Sequence, residues 1–280
     1  MTKNVVINKK KIGPGESVFV IAEVGINHNG DLKTAIKLID EARRSGADAV
    51  KLQTYITEKR VPKDSPIFGI LKQCELSFDD QKKLFDHARE NGIEIFSTPF
   101  DNESVDFLAS INSPCFKIAS FDVVNKKLLE RVSSKGKPVI ISRGMADQGE
   151  VDTAVGIVRK FDAEVILLHC VSAYPVPSPA FLNLNTIRAL EARYSCPAGF
   201  SDHTVGPDAS AYAVLAGASV IEKHFTLSTK SEGPDHALSM EPEGLKELVR
   251  RVRAASEMMG TSISGPLPIE AGILQYRRKS

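Results

Sequence analysis

Short apolar runs rich in Val and Ile alternate with longer amphipathic segments along the chain. Eight runs are predicted as strands: Val18–Glu23, Ala49–Gln53, Ile93–Ser97, Cys115–Ile118, Pro138–Ser142, Val165–His169, Ala198–Ser201 and Val220–His224. Most are largely apolar, as strands buried on both faces are. Helix signals separate them. Leu32, Ala35, Ile36, Ile39 and Ala42 form a stripe at helical spacing over Leu32–Ser45, and Gly46 stops it. Ser77 is placed to start a helix over Asp79–Glu90, which ends at Asn91-Gly92. Further helices are predicted over Glu103–Ser110, Lys127–Ser134, Glu150–Lys160, Thr186–Arg193, Asp208–Ala216 and Glu243–Met259.

Eight βα units in series predict an α/β protein with a (β/α)8 TIM barrel. A doubly wound open sheet is the alternative, but no G-x-G-x-x-G follows a strand and no G-x-x-x-x-G-K-[ST] is present. Two regions fall outside the repeat. Residues 4–12 read as a small N-terminal β-hairpin, with Asn8 and Lys9 near its turn, placed to plug the bottom of the barrel. Residues 55–78 form an unusually long second β-to-α connection, of the kind that serves as an active-site lid. The expected organisation is a hairpin over residues 1–15, a catalytic barrel over 16–262 and an exit linker over 263–280.

Composition narrows the class. A length of 280 residues suits one α/β barrel, a fold of about 250 residues. A net charge of +1 gives no footprint for nucleic acid. Cys74, Cys115, Cys170 and Cys196 contain no C-x-x-C and read as reduced, buried thiols. The N-terminus is too charged for a signal peptide, and no apolar run approaches the ~18 residues of a membrane span. The expectation is a cytoplasmic protein without a membrane or nucleic-acid partner.

The polar residues are concentrated where the strands end. Glu23, Lys51 with Gln53, Ser97-Thr98, Lys117 with Ser120, Ser142-Arg143, His169 with Ser172 and Tyr174, Ser201-Asp202-His203, and Glu222 with His224 occupy the eight strand termini in turn. Active sites of such barrels lie at that rim. One lysine or histidine in a strand has an ordinary structural explanation; eight strands converging on one polar rim do not, because buried unpaired charge is costly. Lys51 and Lys117, with Ser97, Ser120, Ser142 and Ser201 as small donors, suit a phosphate or a carboxylate. His203 and His224 end neighbouring strands and suit either a divalent metal or general acid–base work. Asp235 and His236 are placed to reach back over the rim, His28 reads as a loop residue, and His87 as a packing residue.

The strings IAEVGINHNG, AVKLQT, STPFD, FKIAS, LHCVSAYP, GFSDHT, IEKHFT and GPDHALSMEP resemble the sialic acid synthase family, which includes the N-acetylneuraminate, legionaminate and pseudaminate synthases. The resemblance runs from about residue 15 to the end. It implies condensation of phosphoenolpyruvate with the open-chain aldehyde of N-acetylmannosamine or a diacetamido hexose. The products are a nine-carbon 2-keto acid and phosphate: C3 of phosphoenolpyruvate attacks the aldehyde, water adds at C2, and phosphate leaves by C–O cleavage. The resemblance also implies His203 and His224 as ligands of a divalent metal, manganese or magnesium, and Lys51, Lys117, Ser120, Ser201 and Ser172 as phosphoenolpyruvate contacts, with Ser142 beside them. Gln53, Tyr174 and Asp235 match sugar contacts, Glu23 an acidic residue next to sugar and metal, and Glu222 a residue near the metal. Glu23, Lys51, Lys117 and Glu222 are thus the expected catalytic group. The family implies a homodimer and usually carries a C-terminal antifreeze-like domain that this chain is expected to lack. Arg143, in SRGMA, stands where the family commonly has a small residue, and would suit a phosphorylated acceptor if it faced the site. A non-catalytic barrel serving as a binding subunit is the rival reading, against which the retained charged residues argue.

Overall fold

The computed structural model describes residues 2–278; Met1 of the hairpin segment and Lys279 and Ser280 of the exit linker lie outside the described residues. The chain opens with an antiparallel hairpin, β1 (Val5–Ile7) and β2 (Lys10–Ile12). Eight parallel strands follow: β3 (Phe19–Gly25), β4 (Ala49–Thr54), β5 (Glu94–Pro99), β6 (Phe116–Ile118), β7 (Val139–Ser142), β8 (Val165–Cys170), β9 (Ala198–Asp202) and β10 (Val220–His224). They hydrogen-bond in chain order and β10 closes on β3, so the predicted TIM barrel and its hairpin are both present.

The major helices fall where the apolar stripes place them: α1 (Leu32–Arg44), α4 (Phe78–Glu90), α5 (Asn102–Ser110), α6 (Lys126–Ser133), α7 (Gln148–Lys160), α8 (Thr186–Tyr194), α9 (Asp208–Leu215) and α10 (Pro242–Met259). Several starts are fixed by side chains that satisfy the free N–H groups of a first turn. Asp31 caps α1, Ser77 caps α4, Asp101 caps α5, and Asp147 with Glu150 forms a capping box on α7. The long connection is not structureless. It carries two short helices, α2 (Thr57–Arg60) and α3 (Phe68–Cys74), which sequence periodicity does not reveal. The carboxylate of Glu75 accepts from both the backbone N–H (2.9 Å) and the hydroxyl of Thr57, and Tyr55 Oη donates to the Leu71 carbonyl at 2.9 Å. These bonds fold the connection onto itself, and the Ile56 N–H, donating to Asp101 Oδ2 at 2.9 Å, ties its start to the residues after β5.

Side chains alternate in and out along each strand, and the inward set changes character with height. At the bottom, Phe19, Ile21, Ala49, Phe96, Cys115, Ile140, Ile166, Leu168 and Val220 form one closed apolar cluster. Two residues further up the same strands stand Glu23, Lys51, Thr98, Lys117, Ser142, Cys170 and Glu222, all lining a pocket. The outward set, including Val20, Ala22, Val50, Leu52, Ile118 and Ile141, packs under the helices in a second, larger core.

Val5, Ile7 and Ile12 of the hairpin belong to the inner cluster, so the hairpin does plug the barrel floor. Asp48 fastens it: its carboxylate takes Lys10 Nζ at 2.7 Å, the Val20 N–H at 2.8 Å and the guanidinium of Arg253 from α10 at 2.5 Å. No helix among the described residues is long and apolar enough to cross a membrane.

The plug generates a stability prediction. Ile12 is fully buried, whereas Val6 on the same hairpin is 45% exposed. Ile12→Ala should lower the unfolding free energy by about 2–5 kcal/mol, and Val6→Ala by less than about 0.5 kcal/mol. Equal denaturation midpoints for the two variants would mean that the hairpin does not hold the barrel closed.

Candidate active site

The pocket at the C-terminal ends of the strands holds about 400 Å³. Its floor is a set of four buried charges, each only 2–5% exposed. Lys51 Nζ lies 2.7 Å from Glu23 Oε2 and 3.8 Å from Glu222 Oε2; Lys117 Nζ lies 3.9 Å from Glu222 Oε1. Strand register explains the grouping, because Glu23 pairs with Lys51 across β3–β4 and Glu222 with Ser201 across β9–β10. Hydroxyls complete the collar. Lys117 donates to Ser142 Oγ at 2.6 Å, Lys51 to Thr98 Oγ1 at 3.3 Å, and Ser201 to Glu222 Oε1 at 3.0 Å.

The four charges are not equivalent. Burial outweighs the attraction of Lys51 and raises Glu23 to about 7, with Glu222 adding repulsion. Glu222 is also desolvated, but Lys117 and Lys51 more than offset this and keep it below the usual carboxylate range. For Lys51, burial is overcome by Glu222 and Glu23, so its ammonium is reinforced; for Lys117, burial prevails and its affinity for the proton falls. The floor therefore holds one firm carboxylate, one firm ammonium and two groups closer to neutral pH.

Above the floor, the rings of His203 and His224 stand 5.6 Å apart between centroids, with Tyr174 4.2 Å from His203. Burial lowers the proton affinity of both histidines, so both rings are neutral. His203 directs its Nδ1–H to the Val171 carbonyl at 2.8 Å, which leaves Nε2 as a lone pair. His224 Nδ1 is buried without a hydrogen-bond partner, its nearest carboxylate oxygen being Asp235 Oδ2 at 3.8 Å. Two neutral imidazoles with an unpartnered buried nitrogen fit a divalent ion. Among the described residues no three His, Cys, Asp or Glu side chains cluster as a complete metal site.

Most of the residues singled out in the sequence converge here. Glu23, Lys51, Gln53, Lys117, Ser120, Ser142, Tyr174, Ser201, His203, Glu222, His224 and Asp235 all line the pocket. Ser172 stands at its margin: its buried hydroxyl has no partner and, with Cys170 and Ser120, crowds the space beside Gly144, where a Cβ would come within 2.6 Å of Ser172 Oγ. Other rim residues belong elsewhere because of strand alternation. Ser97 faces outward and bonds Thr54 Oγ1 at 2.7 Å, so Thr98 takes its place in the pocket. His169 also faces outward, with Nε2 2.6 Å from the Leu182 carbonyl oxygen. Arg143 turns into its own loop, donating to the Ala146 carbonyl at 2.8 Å, and supplies no cation to the pocket. His236 is buried against Thr226 Oγ1, His28 accepts from the Gly30 N–H, and His87 bridges to Asp40. Arg60 and Phe100 line the pocket and were not legible as site residues. The only sequence signal for Arg60 is its place in the long connection.

The chain is similar to known proteins over most of its length. The NeuB family model matches residues 38–264. An uncharacterized protein of Methanocaldococcus jannaschii is 44% identical over 98% of this chain and 81% of its own length. The N,N'-diacetyllegionaminic acid synthase of Legionella pneumophila is 40% identical over 97% of this chain and 81% of its own length. Among solved structures, the N-acetylneuraminic acid (sialic acid) synthetase of Leptospira borgpetersenii superposes with a TM-score of 0.94 at 37% identity, covering 99% of this chain and 97% of that one.

The raised Glu23 carboxyl makes stability depend on pH. A group whose folded value of about 7 exceeds its ordinary value of 4.5 stabilises the fold below pH 4.5 and loses that contribution as pH rises through 7. In metal-free protein, the wild type should lose on the order of 1–3 kcal/mol relative to Glu23→Gln between pH 4.5 and pH 8. Denaturant unfolding of both proteins across that range checks this; a pH-independent difference would refute it.

Proposed function

The chain belongs to the NeuB family, and on that premise we propose that it condenses phosphoenolpyruvate with the aldehyde of an N-acylated amino sugar. N-acetylmannosamine or a diacetamido hexose would be the acceptor, and a nine-carbon 2-keto acid and phosphate the products. The observation that carries this reading is the vertical division of the pocket. Lys51, Lys117 and the hydroxyl collar form a floor suited to a small polyanion. Neutral histidines, Gln53 and Asp235 form an upper compartment suited to a polyol.

The floor holds the carboxylate and phosphate of phosphoenolpyruvate through charge-assisted bonds from both ammonium groups and short bonds from Ser120, Ser142 and Ser201. This fixes C3 of the enol beneath the acceptor and replaces a bimolecular encounter with a positioned one. A divalent ion held by His203 and His224, manganese or magnesium, would supply Lewis-acid polarisation of the aldehyde oxygen. Glu23, with its proton affinity near neutrality, delivers a proton to that oxygen as the C–C bond forms. Glu222 stays ionised between the two lysines and keeps them oriented. Gln53 and Asp235 bind acceptor hydroxyls, and Tyr174 closes the site over His203.

Phosphate release from phosphoenolpyruvate in the presence of each acceptor, with and without manganese, tests the proposal. Release should require an acceptor and be lost in His203→Ala and His224→Ala. Lys117→Ala should lower kcat/KM by about 10²–10³-fold. No acceptor-dependent release from the wild type with any N-acylated hexosamine would overturn it.

A further inference from the structure

Arg60 ends α2 in the long connection and reaches over the pocket from the lid side. Its guanidinium carbon lies 3.7 Å from the centroid of the Phe100 ring and 4.6 Å from that of Tyr55. One N–H donates to Gln53 Oε1 at 3.1 Å, and Gln53 in turn reaches Glu23 Oε1 at 3.5 Å. The cation is thus fixed in place by two aromatic rings and an amide, a more rigid arrangement than a surface arginine adopts. Arg60 has five N–H donors, and only the one given to Gln53 has a partner among the described residues.

The surroundings say what those donors can take. Asp122 and Asp235 are close enough to act on Arg60 electrostatically, yet neither pairs with it. A phosphate bound here would have to sit in the field of both carboxylates; an uncharged oxygen meets no such repulsion. The same pocket has an apolar wall of Ile67, Ile70 and Leu71 from the second lid helix and its approach, and Leu71 packs with Tyr55, over whose ring the Arg60 guanidinium lies. A donor fork beside an aliphatic patch matches a group with a carbonyl on one side and a methyl on the other.

We infer that Arg60, with Ile70 and Leu71, forms the subsite that recognises an N-acyl group of the acceptor, the guanidinium donating to the acyl oxygen and the aliphatic side chains covering its methyl. The inference rests on the sugar-synthase reading given above and names the residue that confers acyl specificity within it. Arg60 is thus a specificity determinant carried by the long connection.

The test compares wild type, Arg60→Ala and Arg60→Lys in steady-state phosphate release, using the N-acylated acceptor, its hydroxyl counterpart lacking the acyl group, and its phosphorylated form. Phosphoenolpyruvate binding is measured on each variant by calorimetry. Arg60→Ala should raise the acceptor KM about tenfold or more, leave kcat and the phosphoenolpyruvate affinity within about threefold, and narrow the preference for the acylated sugar over its hydroxyl counterpart by a similar factor. Arg60→Lys keeps the charge but not the planar fork, and should not restore that preference. An unchanged acceptor KM in Arg60→Ala overturns the inference while leaving the synthase reading intact. Full rescue by lysine together with preferred use of the phosphorylated acceptor also overturns it, and assigns an anion site instead. Loss of phosphoenolpyruvate binding along with acceptor binding assigns Arg60 to lid structure alone. A wild type that releases no phosphate with any acceptor overturns both readings at once.

Discussion

Four charged side chains line the floor of the barrel pocket, each only 2–5% exposed. Burying one unpaired ammonium or carboxylate costs several kcal/mol, and breaking a buried pair leaves its partner in that condition. Glu23, Lys51, Lys117 and Glu222 are tolerable only as a set, because each cation has a carboxylate within 4 Å. The barrel supplies the register that makes the set possible, bringing Glu23 opposite Lys51 and Glu222 opposite Ser201. A one-residue slip of any of these strands would turn its charge outward under a helix. The chemistry of the site and the topology of the sheet are therefore a single constraint.

That constraint also accounts for the inequality among the four. In this desolvated site the number of ammonium groups nearby matters more than the closest distance, since Glu23 has the shorter contact. Both carboxylates are buried, but Glu222 lies between two ammonium groups and stays ionised, whereas Glu23 has one close partner and shifts toward neutrality. A similar asymmetry separates the two lysines. The site thus carries a fixed field and an exchangeable proton within one layer of side chains.

The barrel was legible because each strand is short, apolar and bounded by a helix with its own stripe, and because polar residues mark one end of every strand. The inward alternation that selects Thr98 over Ser97, and Cys170 over His169, is a property of sheet geometry. It becomes readable only when the strand phase is set, and strand ends alone do not set it. The helices of the long connection escaped because α2 has four residues and α3 seven, too few for a period to show. Arg60 was invisible for a different reason. Its partners Phe100 and Gln53 lie on or beside other strands, so its function is written in packing between elements and not in local spacing. Arg143, conspicuous in sequence, spends its hydrogen bond on its own loop.

The hairpin across the barrel floor closes the lower end of the interior. Whatever binds at Lys51 and Lys117 must pass the level of His203, His224 and Arg60 before anything settles there. On the proposed reaction, the smaller anion would have to enter before the larger partner settles above it, and a fragment freed at the floor would leave after that partner. A closed bottom would in that way turn a spatial arrangement into an order of events.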